Sequence, residues 1–104
     1  MPKSDSSTDS NVVTEERVKV KIPKSFKVVI LNDDYTPMDF VVSILEQIFR
    51  LSPAEAVKIM LEVHNKGAGV CGVYTKQIAE AKVEQVHSRA QEYGYPLKCN
   101  MEEV

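Results

Sequence analysis

The sequence contains no tryptophan, only two cysteines and four glycines, and no long run of apolar residues. A membrane-spanning helix needs roughly 20 consecutive apolar residues, so we expect no membrane partner. The formal net charge is -2 at pH 7 and the basic residues form no block, whereas nucleic-acid binding requires clustered Lys and Arg. We therefore expect no nucleic-acid partner. Because the N-terminus lacks an apolar signal segment, we expect a cytoplasmic protein.

The two cysteines are too few and too far apart to predict a structural metal site. Cys71 and Cys99 lie in apolar stretches, and the histidines His64 and His87 are not spaced to complete a zinc site with them. We expect both thiols to be small buried apolar groups in a reducing compartment, and we expect no metal or cofactor.

The composition, with 43% apolar and 27% charged residues over 104 positions, is that of one small globular domain. Residues 1–24 are rich in Ser, Asp, Lys and Glu and have no sustained apolar period. This stretch predicts a flexible N-terminal extension, and the folded domain is expected at 25–104.

From residue 25 onward, apolar residues recur first with the period of a strand and then with that of a helix. The predicted elements are a strand at 25–31, a helix with Thr36 as N-cap and Pro37 first, a helix at 53–66 with a Ser52–Glu55 capping box and a stop at Gly67, a strand at 69–74, a helix capped by Thr75 and ended by Gly94, and a strand at 96–101. The order βααβαβ predicts an α+β domain in which a three-stranded antiparallel sheet packs against three helices.

The glycines Gly67, Gly69 and Gly72 spell G-x-G-x-x-G, the pattern of a dinucleotide-binding turn. That turn works only when a strand precedes it and a helix follows, because the helix N-terminus binds the pyrophosphate. Here a predicted helix precedes the glycines and a predicted strand follows them. The pattern therefore does not predict nucleotide binding.

The segment "LNDDYTPMDF" places Asn32, Asp33 and Asp34 in a row between the first strand and the first helix. Three such acceptors are more than a strand-to-helix turn needs, although the run is also consistent with a turn and nothing else. Farther along, Met60 and His64 lie one turn apart on the second helix, on the same face as Val57 and Leu61. A lone His on an apolar helix face is usually a core residue.

Met38 and Val41, at the start of the first helix, would likewise normally be core residues. If the second helix packs antiparallel to the first, however, His64 approaches the Asn32–Asp34 turn. An apolar pocket with an acceptor-rich rim would result, and carboxylate, amide oxygen and neutral imidazole all suit a cationic ligand.

Four segments, "VILNDDYTPMDFV", "MLEVHNKG", "CGVYTKQIAEAKV" and "YPLKC", resemble the ClpS family of bacterial adaptors. Members of that family recognise N-degrons, which are destabilising N-terminal residues, for the ClpAP protease. The resemblance covers about residues 25–103 in uninterrupted order. It implies a monomeric adaptor that is not an enzyme, with substrates that begin with Leu, Phe, Tyr or Trp.

The resemblance also implies roles for individual residues. Asn32 and His64 would hydrogen-bond the free α-amino group of the substrate, with Asp33 and Asp34 supplying negative charge. The first side chain would lie in a pocket that Met38 closes to β-branched residues. The implied pocket residues are Ile30, Thr36, Met38, Val41, Met60, Val63 and Leu97. The surface from Gln77 to Lys82 would contact the N-terminal domain of a ClpA-type AAA+ unfoldase.

Two other functions fit parts of the pattern. Asp33, Asp34, Asp39 and His64 are residue types found in divalent-metal hydrolases, but they lack the ligand spacing of a calcium loop and include only one histidine. The third interpretation is a plain interaction domain in which the Asn32–Asp34 run is only a turn.

Overall fold

The computed structural model describes residues 22–104, and the predicted extension at 1–24 lies outside them except for its last three residues. The elements are β1 (Ser25–Leu31), α1 (Met38–Gln47), α2 (Pro53–Lys66), β2 (Ala68–Thr75), α3 (Lys76–Tyr93) and β3 (Lys98–Glu103). β1 is the central strand and pairs antiparallel with β2 on one side and with β3 on the other. The predicted α+β fold, with a three-stranded antiparallel sheet and three helices, is confirmed.

The core lies between the helices and one face of this sheet. Val28 and Ile30, two residues apart on β1, are fully buried, as the two-residue period of a strand requires of its inner face. Ile44 and Leu45 of α1 and Val86 of α3 are also fully buried in the same cluster. Each such side chain contributes about 1.5–3 kcal/mol on burial, which fixes the register of β1 against the helices.

Both cysteines lie in this core with free thiols. Burial raises the pKa of Cys71 far above its ordinary value and raises the pKa of Cys99 to about 12. The thiols are therefore protonated at neutral pH and unreactive, since the thiolate is the reactive form. The expectation of small buried groups is confirmed.

Several element ends follow from local chemistry. The Ser52 hydroxyl oxygen accepts a hydrogen bond from the Glu55 N–H at 3.2 Å, which confirms the predicted capping box. β3 spans Lys98–Glu103 and not the predicted 96–101, because its pairing with β1 runs from Leu31 opposite Lys98 to Phe26 opposite Glu103. Thr75 is the N-cap residue of α3 but its side chain makes no capping hydrogen bond, so that part of the prediction is wrong.

Within residues 22–104 no helix has the length and apolar character to cross a membrane.

Candidate functional site

The Asn32–Asp34 turn is attached directly to the end of α2. The backbone N–H of Asn32 donates to the carbonyl oxygen of Gly67 at 2.9 Å. Gly67 ends α2 in the left-handed conformation, with φ at 91°, which glycine adopts without steric cost. Because His64 lies in the last turn of α2, this bond brings the Asn32 turn and His64 to the same place. The structure thus brings together the two polar parts of the predicted site.

The carboxylate of Asp33 holds the turn in shape. Oδ1 accepts from the backbone N–H groups of Tyr35 at 2.8 Å and Thr36 at 2.7 Å, and Oδ2 accepts from the Thr36 hydroxyl at 2.8 Å. Burial alone would raise the pKa of Asp33, but these hydrogen bonds outweigh it and lower the pKa below its ordinary value. Asp33 is therefore ionised at neutral pH, and both of its oxygens are engaged within the turn.

The start of α1 differs from the prediction because of Asp33. Pro37, and not Thr36, is the N-cap residue; the helix begins at Met38 and no side chain caps it. The Thr36 hydroxyl donates to Asp33 Oδ2, and its oxygen accepts no hydrogen bond from the N–H groups at the start of the helix. The prediction of Thr36 as N-cap and Pro37 as first helical residue is therefore wrong, and Thr36 belongs to the turn that Asp33 closes.

A cavity of about 350 Å³ opens between this turn, the start of α1 and the end of α2. Its apolar wall includes Val41 and Val63, which are 5% and 3% exposed, and the half-buried Met60. Met38 also lines the cavity and is 45% exposed. The full lining is Asn32, Asp33, Asp34, Tyr35, Thr36, Pro37, Met38, Val41, Met60, Val63 and His64. Polar and apolar groups thus meet in one cavity.

The structure places two predicted pocket residues elsewhere. Ile30, on the central strand β1, is fully buried in the core and does not line the cavity. Leu97 lines a separate hollow of about 440 Å³ between α3 and β3, where His87 Nε2 accepts from the Cys99 N–H at 3.0 Å. No carboxylate lines that second hollow, so it lacks the groups that favour an ammonium ion.

Tyr35 and Pro37 line the cavity although the sequence analysis did not select them. Both stand inside the stretch from Asn32 to Met38, every residue of which lines the cavity. Their position within this stretch could have identified them from the sequence. When several residues of a tight turn line a cavity, the other residues of that turn face the same cavity. Tyr35 is 79% exposed and extends the rim outward.

The core interpretation of His64 is overturned. His64 is exposed on α2, whereas the buried residues of that helix include Ala56 and Val63 on a different face. Within residues 22–104 the Asp34 carboxylate accepts no hydrogen bond and forms no ion pair. His64 and Asp34 are therefore available to a ligand at the mouth of the cavity.

The arrangement does not favour the metal-hydrolase interpretation. Both oxygens of Asp33 are engaged by N–H and hydroxyl donors, and metal ligation would require them to exchange those donors. In the part of the chain that the structure describes, no three His, Cys, Asp or Glu side chains are grouped as a metal site.

The two residues of the implied unfoldase surface have different environments. Gln77 is exposed near the start of α3 and lines a hollow together with Lys24 and Glu103. The Lys82 ammonium instead donates to the carbonyl oxygen of Ile48 at 2.6 Å, just beyond the end of α1. Lys82 thus ties α3 to α1, in addition to any contact it makes with a partner.

Comparison with known proteins is consistent with this geometry. Residues 21–100 match the family model described as ATP-dependent Clp protease adaptor protein ClpS. The chain is 56% identical to the ClpS adapter of Oleidesulfovibrio alaskensis over 96 residues, which cover 92% of this chain and 90% of that protein. It is 50% identical to the ClpS adapter of Hydrogenovibrio crunogenus over the full length of both.

A solved structure of Agrobacterium tumefaciens ClpS2 bound to L-phenylalaninamide has a similar fold. Its TM-score is 0.77 and its sequence identity 37%, and the match covers 80% of this chain and all of that one. The relatives are named as adaptors of a protease and not as enzymes, which confirms the expectation that this chain is not an enzyme. The chain belongs to the ClpS family of Clp protease adaptor proteins.

Proposed function

We propose that this adaptor binds proteins whose first residue is Leu, Phe, Tyr or Trp, and that it reads both the free α-amino group and the first side chain. One observation carries the proposal: a single cavity combines an acceptor-rich rim at Asn32, Asp34 and His64 with an apolar wall at Val41 and Val63. A protonated α-amino group next to a large apolar side chain is the chemistry that such a cavity complements.

Each rim residue has a distinct role in this proposal. An ammonium group has three donors, and the amide oxygen of Asn32, a carboxylate oxygen of Asp34 and a ring nitrogen of neutral His64 supply three acceptors. Asp33 positions these groups by folding the turn and adds its negative charge at short range. The α-amino group therefore replaces water at the mouth of the cavity with charge-assisted hydrogen bonds.

The first side chain enters between α1 and α2. Val41, Met60 and Val63 provide the apolar wall, and Met38 at the mouth restricts the width available next to the substrate Cα. A side chain that branches at Cβ is widest at that point, so Ile and Val are excluded. Leu, Phe, Tyr and Trp branch farther out and pass the mouth.

The energetics require both halves of the site. Burying one large apolar side chain contributes about 1.5–3 kcal/mol, and each hydrogen bond to a charged group contributes about 1.5–3 kcal/mol more. Association costs at least about 4 kcal/mol, so an affinity near the micromolar range, about -8 kcal/mol, requires both halves to contribute near the upper ends of these ranges. Neither half alone reaches that value, and internal residues of a protein are rejected because they lack the ammonium.

The relative from Agrobacterium tumefaciens supports the assignment by the chemistry of its ligand. L-phenylalaninamide carries a free α-amino group, a benzyl side chain, and an amide where the next peptide bond of a protein would begin. It therefore resembles the first residue of a phenylalanine-initiated chain. The same chemistry fits the cavity between Asn32, His64 and Val63.

Delivery of the bound protein to the ClpAP protease is the second part of the proposal. We infer that a cytoplasmic, monomeric adaptor contacts the N-terminal domain of the unfoldase through the start of α3, where Gln77 is exposed. Lys82 contributes from the same helix, although its ammonium also bonds to Ile48. In this arrangement the unfoldase contacts α3, and the substrate stays bound in the cavity between α1 and α2 during delivery.

Titration of a phenylalanine-initiated peptide into the wild type, Asn32→Ala and His64→Ala tests the substrate site. We expect micromolar binding to the wild type and a loss of tenfold or more in each variant, with unchanged thermal unfolding because both side chains are exposed. Asn100→Ala is the matched control, because Asn100 is an exposed amide that lines the hollow beside Leu97.

Unchanged affinity in both rim variants would refute the assigned rim. Loss of affinity in Asn100→Ala alone would place the ligand in the hollow between α3 and β3. A serine-initiated peptide should not bind, because it makes no use of the apolar wall.

A further inference from the structure

Two apolar side chains are exposed on α2 beside the candidate site. Val57 is 43% exposed and Leu61 is 44% exposed, although neither lines the cavity described above. They border a separate hollow of about 400 Å³. The remaining residues that line it are Ala54, Lys58, Glu62, Asn65 and Lys66. We call Val57 and Leu61 the α2 stripe.

The α2 stripe is adjacent to the wall of the cavity. Leu61 follows Val57 by four residues and precedes His64 by three, so these three side chains lie along one side of the helix. Met60, which lines the cavity, lies three residues after Val57. A chain that leaves the mouth of the cavity on the α2 side therefore meets the stripe next.

We propose that the α2 stripe is a subsite for the third residue of the bound substrate and that it favours an apolar side chain there. This inference rests on the proposed function of the neighbouring cavity. It concerns the substrate segment beyond the terminal residue, which the rim and pocket do not contact. The stripe would make the adaptor selective among substrates that share the same first residue.

The spacing of an extended peptide selects the third residue. Alternate side chains of an extended chain point the same way and lie about 7 Å apart, so a chain with residue 1 directed into the protein directs residue 3 inward as well. The axial rise from Leu61 to His64 is about 4.5 Å and from Val57 to Met60 about 4.5 Å. One step of two substrate residues thus spans the distance from the cavity to the stripe.

A tethered segment suits the stripe better than an independent partner does. Stable protein interfaces bury at least about 1,200 Å² in total, which two half-exposed side chains do not approach. A segment that is already anchored through its first residue needs no second association, so a small apolar contact adds to its affinity. The occupant is therefore the bound substrate itself and not a second copy of this chain.

Three peptides that differ only at positions 2 and 3 test the subsite: Phe-Ser-Ser, Phe-Ser-Leu and Phe-Leu-Ser, each followed by the same polar tail. We expect Phe-Ser-Leu to bind the wild type about five- to tenfold more tightly than the other two, as partial burial of one leucine side chain predicts. Leu61→Ser should remove this advantage and leave the affinity for Phe-Ser-Ser unchanged.

Ile78→Ser is the matched control, because Ile78 is an apolar residue 49% exposed on α3. It should retain the full preference for leucine at position 3. Equal affinities of the wild type for all three peptides, a preference confined to position 2, or a position-3 preference that survives in Leu61→Ser would each overturn the subsite. Failure of all three peptides to bind would refute the proposed function itself, so the two failures are distinguishable.

Discussion

Removing the Asp33 carboxylate should destabilise the fold, whereas removing the adjacent Asp34 carboxylate should not. Asp33 accepts from two backbone N–H groups and one hydroxyl within the turn, all at 2.7–2.8 Å. Asp34 accepts no hydrogen bond within residues 22–104. The substitutions Asp33→Ala and Asp34→Ala therefore separate a positioning role from a ligand-contacting role at neighbouring positions.

The expected magnitude follows from these hydrogen bonds. Loss of a carboxylate that satisfies backbone N–H groups at a helix entry costs about 0.5–2 kcal/mol. Asp33 is half-buried, so water replaces part of what is lost, and we expect a decrease of about 1–2 kcal/mol in the free energy of unfolding. For a domain of this size, each kcal/mol lowers the melting temperature by about 4–8 °C. Asp34→Ala should stay within about 0.5 kcal/mol of the wild type.

The contribution of Asp33 should depend on pH in a defined direction. Its pKa is lowered in the folded state from the ordinary value of 3.8. The stabilisation is therefore fully present above pH 3.8 and is lost as the pH falls through the lower folded-state pKa. The difference in unfolding free energy between the wild type and Asp33→Ala should be constant at neutral pH and shrink in strong acid.

Urea unfolding at several pH values and peptide titration by calorimetry measure the two effects. Asp33→Ala should lose both stability and affinity, because the turn that carries Asn32 loosens. Asp34→Ala should lose about tenfold in affinity at unchanged stability, as expected for one hydrogen bond to a charged group. If Asp33→Ala unfolds like the wild type, or if both variants are destabilised equally, the assignment of Asp33 as the positioning residue is wrong.

Three further outcomes are expected. Met38→Ala should admit peptides that begin with Ile or Val, because the 45% exposed Met38 narrows the mouth; continued exclusion in competition assays would place the selectivity elsewhere. Lys82→Met should lower the free energy of unfolding by about 1–3 kcal/mol, because the Ile48 carbonyl loses its ammonium donor at 2.6 Å while the packing is kept. A Lys82→Met protein as stable as the wild type would show that this hydrogen bond does not stabilise the packing of α3 against α1. Peptide affinity should fall above about pH 8, since an α-amino group has a pKa of about 7.7–8.0, and a flat profile from pH 7 to 10 would count against recognition of charge.

Local signals in the sequence predicted both ends of α2 correctly. Ser52, Glu55 and Gly67 set the limits of α2 by a capping box and a left-handed stop, and both are present. The start of α1 was predicted wrongly because Thr36 has two possible hydrogen-bonding roles. The structure shows that it donates to Asp33, a partner three residues earlier, and a propensity argument does not rank these two choices.

The arrangement of the rim and pocket was harder to predict than the ends of α2, because it depends on tertiary contacts. Periodicity placed Met60 and His64 on one helix face, but the Asn32–Gly67 bond and the shared cavity are what show that this face meets the turn. Ile30 and Leu97 were assigned to the pocket through family resemblance, and they lie in the core and beside β3 because strand alternation and the α3–β3 packing direct them there. The exposure of Val57 and Leu61 was likewise not readable from an apolar periodicity that equally predicts a core face.

One pair of calorimetric titrations decides whether the adaptor recognises a free N-terminus. A phenylalanine-initiated peptide and its N-acetylated form present the same side chain and the same following sequence, and differ only in the ammonium group. We expect micromolar binding of the free peptide and no measurable binding of the acetylated one, because Asn32, Asp34 and His64 would face an uncharged amide. Equal affinity for the two peptides would contradict recognition of the free N-terminus.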